Sequence, residues 1–269
     1  MHTFRVVPIV ILAALLGSGV KSAELSEANR ARLLAAYPQV LERIDGNELV
    51  WRDGTRMPLD DGNGEKPFDE WLAKPDIADM FAAPYPAGAG ATPPARNADP
   101  GRARTAAFFD KLYGDCRKGE VKKNLKMVAW LPKRTKQRLA FNTLNGAADA
   151  LAAVSRELDE LPHAFDVFLV PSAGTFNCRV IAGTDRVSAH GHAIAIDIAL
   201  KHAHYWRNAK SGNDGAVVYR NEIPMEIVRI FEKHGFIWGG RWYHYDTMHF
   251  EYRPELVGVS GTVAEAEAK

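Results

Sequence analysis

The sequence predicts an α+β fold, a small and mainly antiparallel sheet packed with helices. Three observations carry that expectation. Helix signals stand at 145–162 and 224–235, where apolar spacing and end residues agree. Short apolar or alternating runs at 125–131, 164–170 and 193–200 read as strands. The two patterns are mixed without the strand–helix–strand rhythm that a parallel sheet requires.

Taken in chain order, LSEANRARLLAAYPQVLERI (25–44) reads as a short helix with leucine and alanine on one face. NELVWRDGTRMPL (47–59) reads as a β-hairpin, because Asp53-Gly54 suits the positive φ of a tight turn. FAAPYPAGAGATPPARNADPG (81–101) is a linker or an extended strap. TAAFFDKLYG (105–114) is a helix stopped by Gly114, and LKMVAWL (125–131) a strand ended by Pro132. In NGAADALAAVSRELDELP, Leu151, Val154, Leu158 and Leu161 recur at helical spacing. AFDVFLV (164–170) and AIAIDIAL (193–200) follow as strands. PMEIVRIFEKHG (224–235) has proline in its first turn and glycine at its end, which marks a helix. FIWGGRWYHYDTMHFEY (236–252) is mostly extended, turning at Gly239-Gly240.

The first 23 residues, with a basic start and an apolar run from Val6 to Leu16, read as a secretory signal peptide, too short to span a bilayer. The mature chain is therefore expected to be periplasmic or secreted, without a stable membrane anchor. Removing Arg5 and Lys21 from 34 basic residues leaves 32 against 33 acidic ones, a balance unsuited to bulk nucleic-acid binding. Residues 117–138 hold nine Lys/Arg against Glu120, either a solvated face or a patch for an anionic polymer. The expected organisation is an N-terminal extension over 24–103, a catalytic domain over 104–257 and a flexible tail over 258–269. Cys116 and Cys178 are the two cysteines, and an even pair in an oxidising compartment leans towards a disulfide. Cys178 as a nucleophile is the alternative, though it lacks a thiol-protease context.

Asp197 interrupts an apolar strand, and a buried carboxylate is costly unless it is paired or binds a metal. His190 lies upstream, and Asp246 and His249 stand three residues apart downstream. Catalytic zinc takes three protein ligands and leaves a position for water, which a nearby carboxylate can deprotonate. Spacing alone leaves a metal site as one reading among several.

The residues SAHGHAIAID resemble the Ser-x-His-(x)6-Asp signature of the zinc D-alanyl-D-alanine carboxypeptidases and L-alanyl-D-glutamate endopeptidases of bacterial cell walls. DTMHFE is similar to that family's second signature, and LVWRDGTRMPLDDG, VPSAGTFNCRVIAGT and the WGG-x-W lead-in extend the resemblance over most of 48–257. The resemblance implies Zn²⁺ as cofactor, His190, Asp197 and His249 as ligands at one edge of the sheet, and Asp246 as general base. It also implies Arg179 as the group that stabilises the oxyanion, with Arg186 as the competing arginine. Relatives usually carry glycine where this chain has Ala193. The implied partners are peptidoglycan peptide stems; a non-catalytic, zinc-containing wall-binding protein is the alternative function. His192 reads as a surface or supporting residue, Ser188 as a local cap or supporting donor, Glu251 as a support for a ligand, His244 as a hydrogen-bond partner of the base or substrate or a member of a packed aromatic strand, and Trp242 as core packing or a groove residue.

Overall fold

A computed structural model describes residues 25–212 and 215–258; the signal-peptide reading and almost all of the tail lie outside them. The elements are α1 (Glu27–Ala36), β1 (Leu41–Asp45), β2 (Glu48–Trp51), β3 (Arg56–Pro58), α2 (Phe68–Ala73), α3 (Ala106–Tyr113), β4 (Leu125–Ala129), β5 (Arg138–Asn142), α4 (Ala147–Leu158), α5 (Asp166–Leu169), β6 (Ala195–Asp197), α6 (Met225–Lys233), β7 (Phe236–Trp238), β8 (His249–Tyr252) and α7 (Pro254–Val257). The fold is α+β, as expected, and every described strand pair is antiparallel. The expected single sheet is three small ones, ordered β1-β2-β3, β4-β5 and β6-β8-β7.

Two segments differ from expectation. Residues 164–170 form a helical turn and α5, not a strand. Their apolar residues Phe165, Phe168 and Leu169 are three and four apart, and only Leu169 is fully buried. That spacing serves a helix face and fails a two-residue strand period. The first helix stops at Ala36, because Pro38 keeps the preceding residue out of the α region, and 41–45 becomes β1. β5 was not read from the sequence, although Leu139 and Phe141 alternate inward.

The N-terminal block and the remainder share one hydrophobic core. Trp51 and Tyr37 pack on Phe108 with ring centroids 5.8 and 5.9 Å apart. The strap is held at Tyr85, whose hydroxyl donates to Glu232 at 2.8 Å, and at Gly88, whose N–H reaches the other Glu232 oxygen at 2.8 Å. At its far end, Arg253 is fully buried, donates to the Gly101 carbonyl at 2.7 Å and pairs with Glu255 and Glu251. Removing one partner of such a buried network leaves carboxylates uncompensated. Arg253→Met should therefore lower unfolding stability by about 3–5 kcal/mol, read from urea denaturation.

Cys116 and Cys178 form a disulfide with Cα atoms 5.7 Å apart, which removes the nucleophile reading of Cys178. The bridge ties the turn after α3 to the segment carrying Arg179. In the basic stretch, Arg117, Lys118, Lys126, Lys133 and Arg134 pair with acidic neighbours, which favours the solvated-face reading.

Candidate metal centre

β6 answers the question raised by its aspartate. Ile196 and Ile198 are fully buried, while the alternation of the strand turns Asp197 the other way, into a cleft. The antiparallel register sets Asp197 opposite His249 on the central strand β8. His190 comes from a helical turn over 189–192, where the Ser188 hydroxyl accepts from the His190 N–H at 3.4 Å.

The three side chains converge. His249 Nδ1 lies 2.9 Å from Asp197 Oδ1, His190 Nε2 lies 3.2 Å from Asp197 Oδ2, and the two ring nitrogens are 3.2 Å apart. His190 Nδ1 faces the Thr175 carbonyl, which only accepts, so Nδ1 carries the proton. His249 Nε2 faces Glu251 Oε1 at 2.9 Å and donates to it in the same way. In their neutral forms both imidazoles turn a lone pair towards one point beside a carboxylate. Such a pair needs a cation between the rings, a proton or a metal ion, and His₂Asp is a donor set that suits zinc. The residues fit the metal that the resemblance implies.

Electrostatics point the same way. Burial pulls the His249 imidazolium down, but hydrogen bonds to Asp197 and Glu251 outweigh it and raise its pKa to about 10. Burial would push the Asp197 carboxyl up, yet His190 and His249 hold it well below the usual range. Against its own burial, Glu251 is held down at about 2 by Arg104, His249 and Arg253. The surroundings favour positive charge at this point.

Asp246 lines the same cleft, and its backbone accepts from His249 N–H at 3.2 Å. Burial pushes its carboxyl up to about 6, with Asp197 adding to the rise and His249 opposing it. Its Oδ1 is buried without a hydrogen-bond partner. Such an atom is costly in a purely structural residue and ordinary in one that meets a ligand. Gly239 makes this placement possible: its carbonyl accepts from Asp246 N–H at 3.1 Å, and a Cβ at Gly239 would sit 2.5 Å from the Asp246 carbonyl oxygen. Gly239→Ala should lower kcat about 100-fold while metal content, measured by atomic emission, stays near wild type.

Arg179 is exposed and lines the cleft beside His190 and Asp246, whereas Arg186 lines an adjoining cavity. His192 turns away from the centre and bonds Asp110 at 2.9 Å. Ala193 has φ 54°, the left-handed conformation that glycine adopts freely, at a cost to alanine of about 1 kcal/mol. Sequence reading missed Arg102 and Arg104, which follow the strap and enter the cleft. Arg104 donates to Glu251 at 2.8 Å, and Arg102 to Asp99 at 3.0 Å. Asp99 also accepts from His244 Nδ1 at 2.6 Å, which orients that ring in the cleft wall. The Arg-x-Arg pair at the mouth of a Pro/Gly-rich stretch was the available signal.

A family model described as D-alanyl-D-alanine carboxypeptidase matches residues 182–252. That stretch contains His190, Asp197, Asp246 and His249 and leaves Arg179 and the strap outside. No curated protein and no solved structure matches the chain. The match supports a peptidase of the carboxypeptidase type.

Proposed function

We propose, with the match to the carboxypeptidase family as premise, that this chain is a zinc peptidase that hydrolyses the peptide stems of peptidoglycan. The observation that carries the reading is the meeting of two lone-pair-bearing imidazoles and Asp197 beside an unpartnered, raised carboxyl, Asp246. His190, Asp197 and His249 would hold the ion. A bound zinc ion supplies Lewis acidity towards a carbonyl and lowers the pKa of water to about 7.

The remaining roles belong to the chain. Asp246 takes a proton from the attacking water and returns it to the departing amine, a task for which a carboxyl near 6 is well matched. The Arg179 guanidinium, exposed on the cleft wall, meets the negative charge that develops on the carbonyl oxygen. Glu251 and the Thr175 carbonyl fix both imidazole tautomers, so neither ring can turn its N–H towards the ion. The signal-like N-terminus suits a periplasmic or secreted site of action, where the substrate is found.

Incubating zinc-replete protein with purified muropeptides and reading masses tests the proposal. Loss of one terminal alanine is the expected product; a cut after L-alanine would indicate the endopeptidase type. Intact muropeptides would leave the non-catalytic wall-binding alternative.

A further inference from the structure

Residues 171–188 run beside the metal centre, yet none of them belongs to the main hydrophobic core. Phe176 and Val187 pack instead on a small satellite cluster of Cys116, Val121 and Ala193. The segment supports the His190 turn directly. The Thr175 carbonyl accepts from His190 Nδ1, the Asn177 N–H donates to the His190 carbonyl at 3.1 Å, and the Ser188 N–H donates to the Arg179 carbonyl at 3.0 Å. Apart from the chain itself, its covalent tie to the fold is the Cys116–Cys178 bridge. We propose that this bridge is a thiol-sensitive latch on the His190 ligand turn. Closed, it holds the ligand and Arg179 in place; opened, it loosens 171–193, so that metal retention and turnover fall together. The proposal rests on the metal-centre reading of the neighbouring site and adds a control set by redox surroundings.

Access, contact and local weakness carry it. Cys178 is exposed, whereas Cys116 is buried in the satellite cluster. A thiolate can therefore reach one sulfur from solvent, which exchange requires. A Cβ on Gly191 would lie 3.3 Å from the Cys116 sulfur, so the turn between His190 and His192 packs against the bridge itself. The remaining ties of the segment are hydrogen bonds from Ser172 and Thr175 to Gln137, Asp197 and Ala140, and a lone Val180–Val187 bridge. A stretch with few buried apolar contacts opens locally at low cost, and a cross-link there constrains it strongly. Once the bridge opens, Cys116 stays in its apolar surroundings as a small buried hydrophobe, which confines the change to 171–193.

The step is thiol–disulfide exchange with a dithiol. Its first thiolate attacks the Cys178 sulfur, the S–S bond breaks, and Cys116 leaves as a thiolate that takes up a proton. The second thiolate of the dithiol then displaces Cys178, which is protonated in turn. Two electrons and two protons pass to the bridge, and the dithiol ends as a disulfide. In reverse, a disulfide reagent closes the latch. A chain in reducing surroundings would stay loose and would tighten on its metal in oxidising ones.

The test uses a phosphine reductant, because a dithiol would itself compete for zinc. Zinc-loaded wild type, oxidised and reduced, is compared with Cys116→Ser/Cys178→Ser, and mass spectrometry confirms reduction. Zinc release to a chromophoric chelator should be about 10- to 100-fold faster in reduced wild type and in the variant, the usual cost of disturbing an outer partner of a metal-bound histidine. Muropeptide turnover should fall by about tenfold or more and return after reoxidation with glutathione disulfide, while the variant should respond to neither reagent. In metal-free protein, amide hydrogen exchange should speed up across 171–193 and stay unchanged in α6 and β7. Equal zinc release and equal exchange in both states would overturn the proposal. Faster exchange throughout the chain would overturn it too, since the bridge would then be a brace for the whole fold. So would a bridge that the reductant opens only after unfolding. If exchange and zinc release respond while neither form cuts muropeptides, the latch stands and the peptidase reading falls.

Discussion

Asp246→Asn should keep its metal and lose turnover by about 10²- to 10⁴-fold, the usual worth of a general acid–base group. Asparagine preserves the shape of the side chain and cannot accept a proton at neutral pH, so the loss would isolate proton transfer from geometry. Misfolding is not an available excuse. The Asp246 carboxyl is raised to about 6 by burial, so its charged form is disfavoured in the folded chain. As pH rises from the unfolded carboxyl range through about 6, that group subtracts stability, and the neutral amide should melt no lower than wild type at pH 7. The wild-type rate should climb with pH along an acidic limb at or below about 6, since the base works only when deprotonated and a cation in the cleft draws its pKa down. The variant should lose that limb. Stopped assays from pH 4 to 8 with metal analysis of both proteins check the set. Full activity in Asp246→Asn would remove Asp246 from the mechanism.

Asp197→Ala should abolish both metal retention and activity. Two imidazoles alone bind zinc weakly, and alanine leaves their lone pairs facing each other 3.2 Å apart. The effect should also be visible in stability. A ligand at a thousand times its dissociation constant stabilises a fold by about 4 kcal/mol, on the order of 10 °C for a chain of this size. Wild type should therefore melt on the order of 10 °C lower after chelation and recover with added Zn²⁺, whereas Asp197→Ala should respond to neither. In the metal-free protein, Asp197 is held well below the usual carboxylate range by the two histidines, against burial. That pairing stabilises the fold above the unfolded carboxyl pKa and is lost as pH falls through the folded one. Wild type melting without response to chelator would count against a metal at this centre.

The site was legible in the sequence to an unusual depth, for a local reason. An aspartate inside AIAIDIAL breaks a two-residue alternation, and the only cheap way to hold it is a partner from elsewhere. The histidines on either side of that gap, and the acid three residues before His249, supplied the candidates. Their convergence then followed from one register, Asp197 opposite His249. Glu251 was read as the support of a ligand and hydrogen-bonds His249.

Helix and strand misreadings had an equally local origin. Residues 164–170 carry an apolar string that fits either period when read alone, and its contact with the neighbouring turn, where Phe168 packs on His202 at 4.7 Å, goes with a helix. The strap read as a linker because proline and glycine dominate it. Its far end is nevertheless fixed by contacts roughly 150 residues away, Arg253 to Gly101 and Trp242 to Pro100.

By itself, then, the sequence determined the α+β class, the hairpin, most helices and the set of chemically capable side chains. Each of these depends on residues within a turn or a strand of one another, where spacing dictates which face is apolar. Tertiary structure alone decided the imidazole tautomers, the bridge from Cys116 to Cys178, and the entry of Arg102 and Arg104 into the cleft. Among the described residues it also gathered Arg186 with Arg102 and Arg104, whose repulsion Asp185 and Glu251 offset only in part. Those features are set by which distant surfaces pack together, and no pattern along the chain records the distance between two guanidiniums.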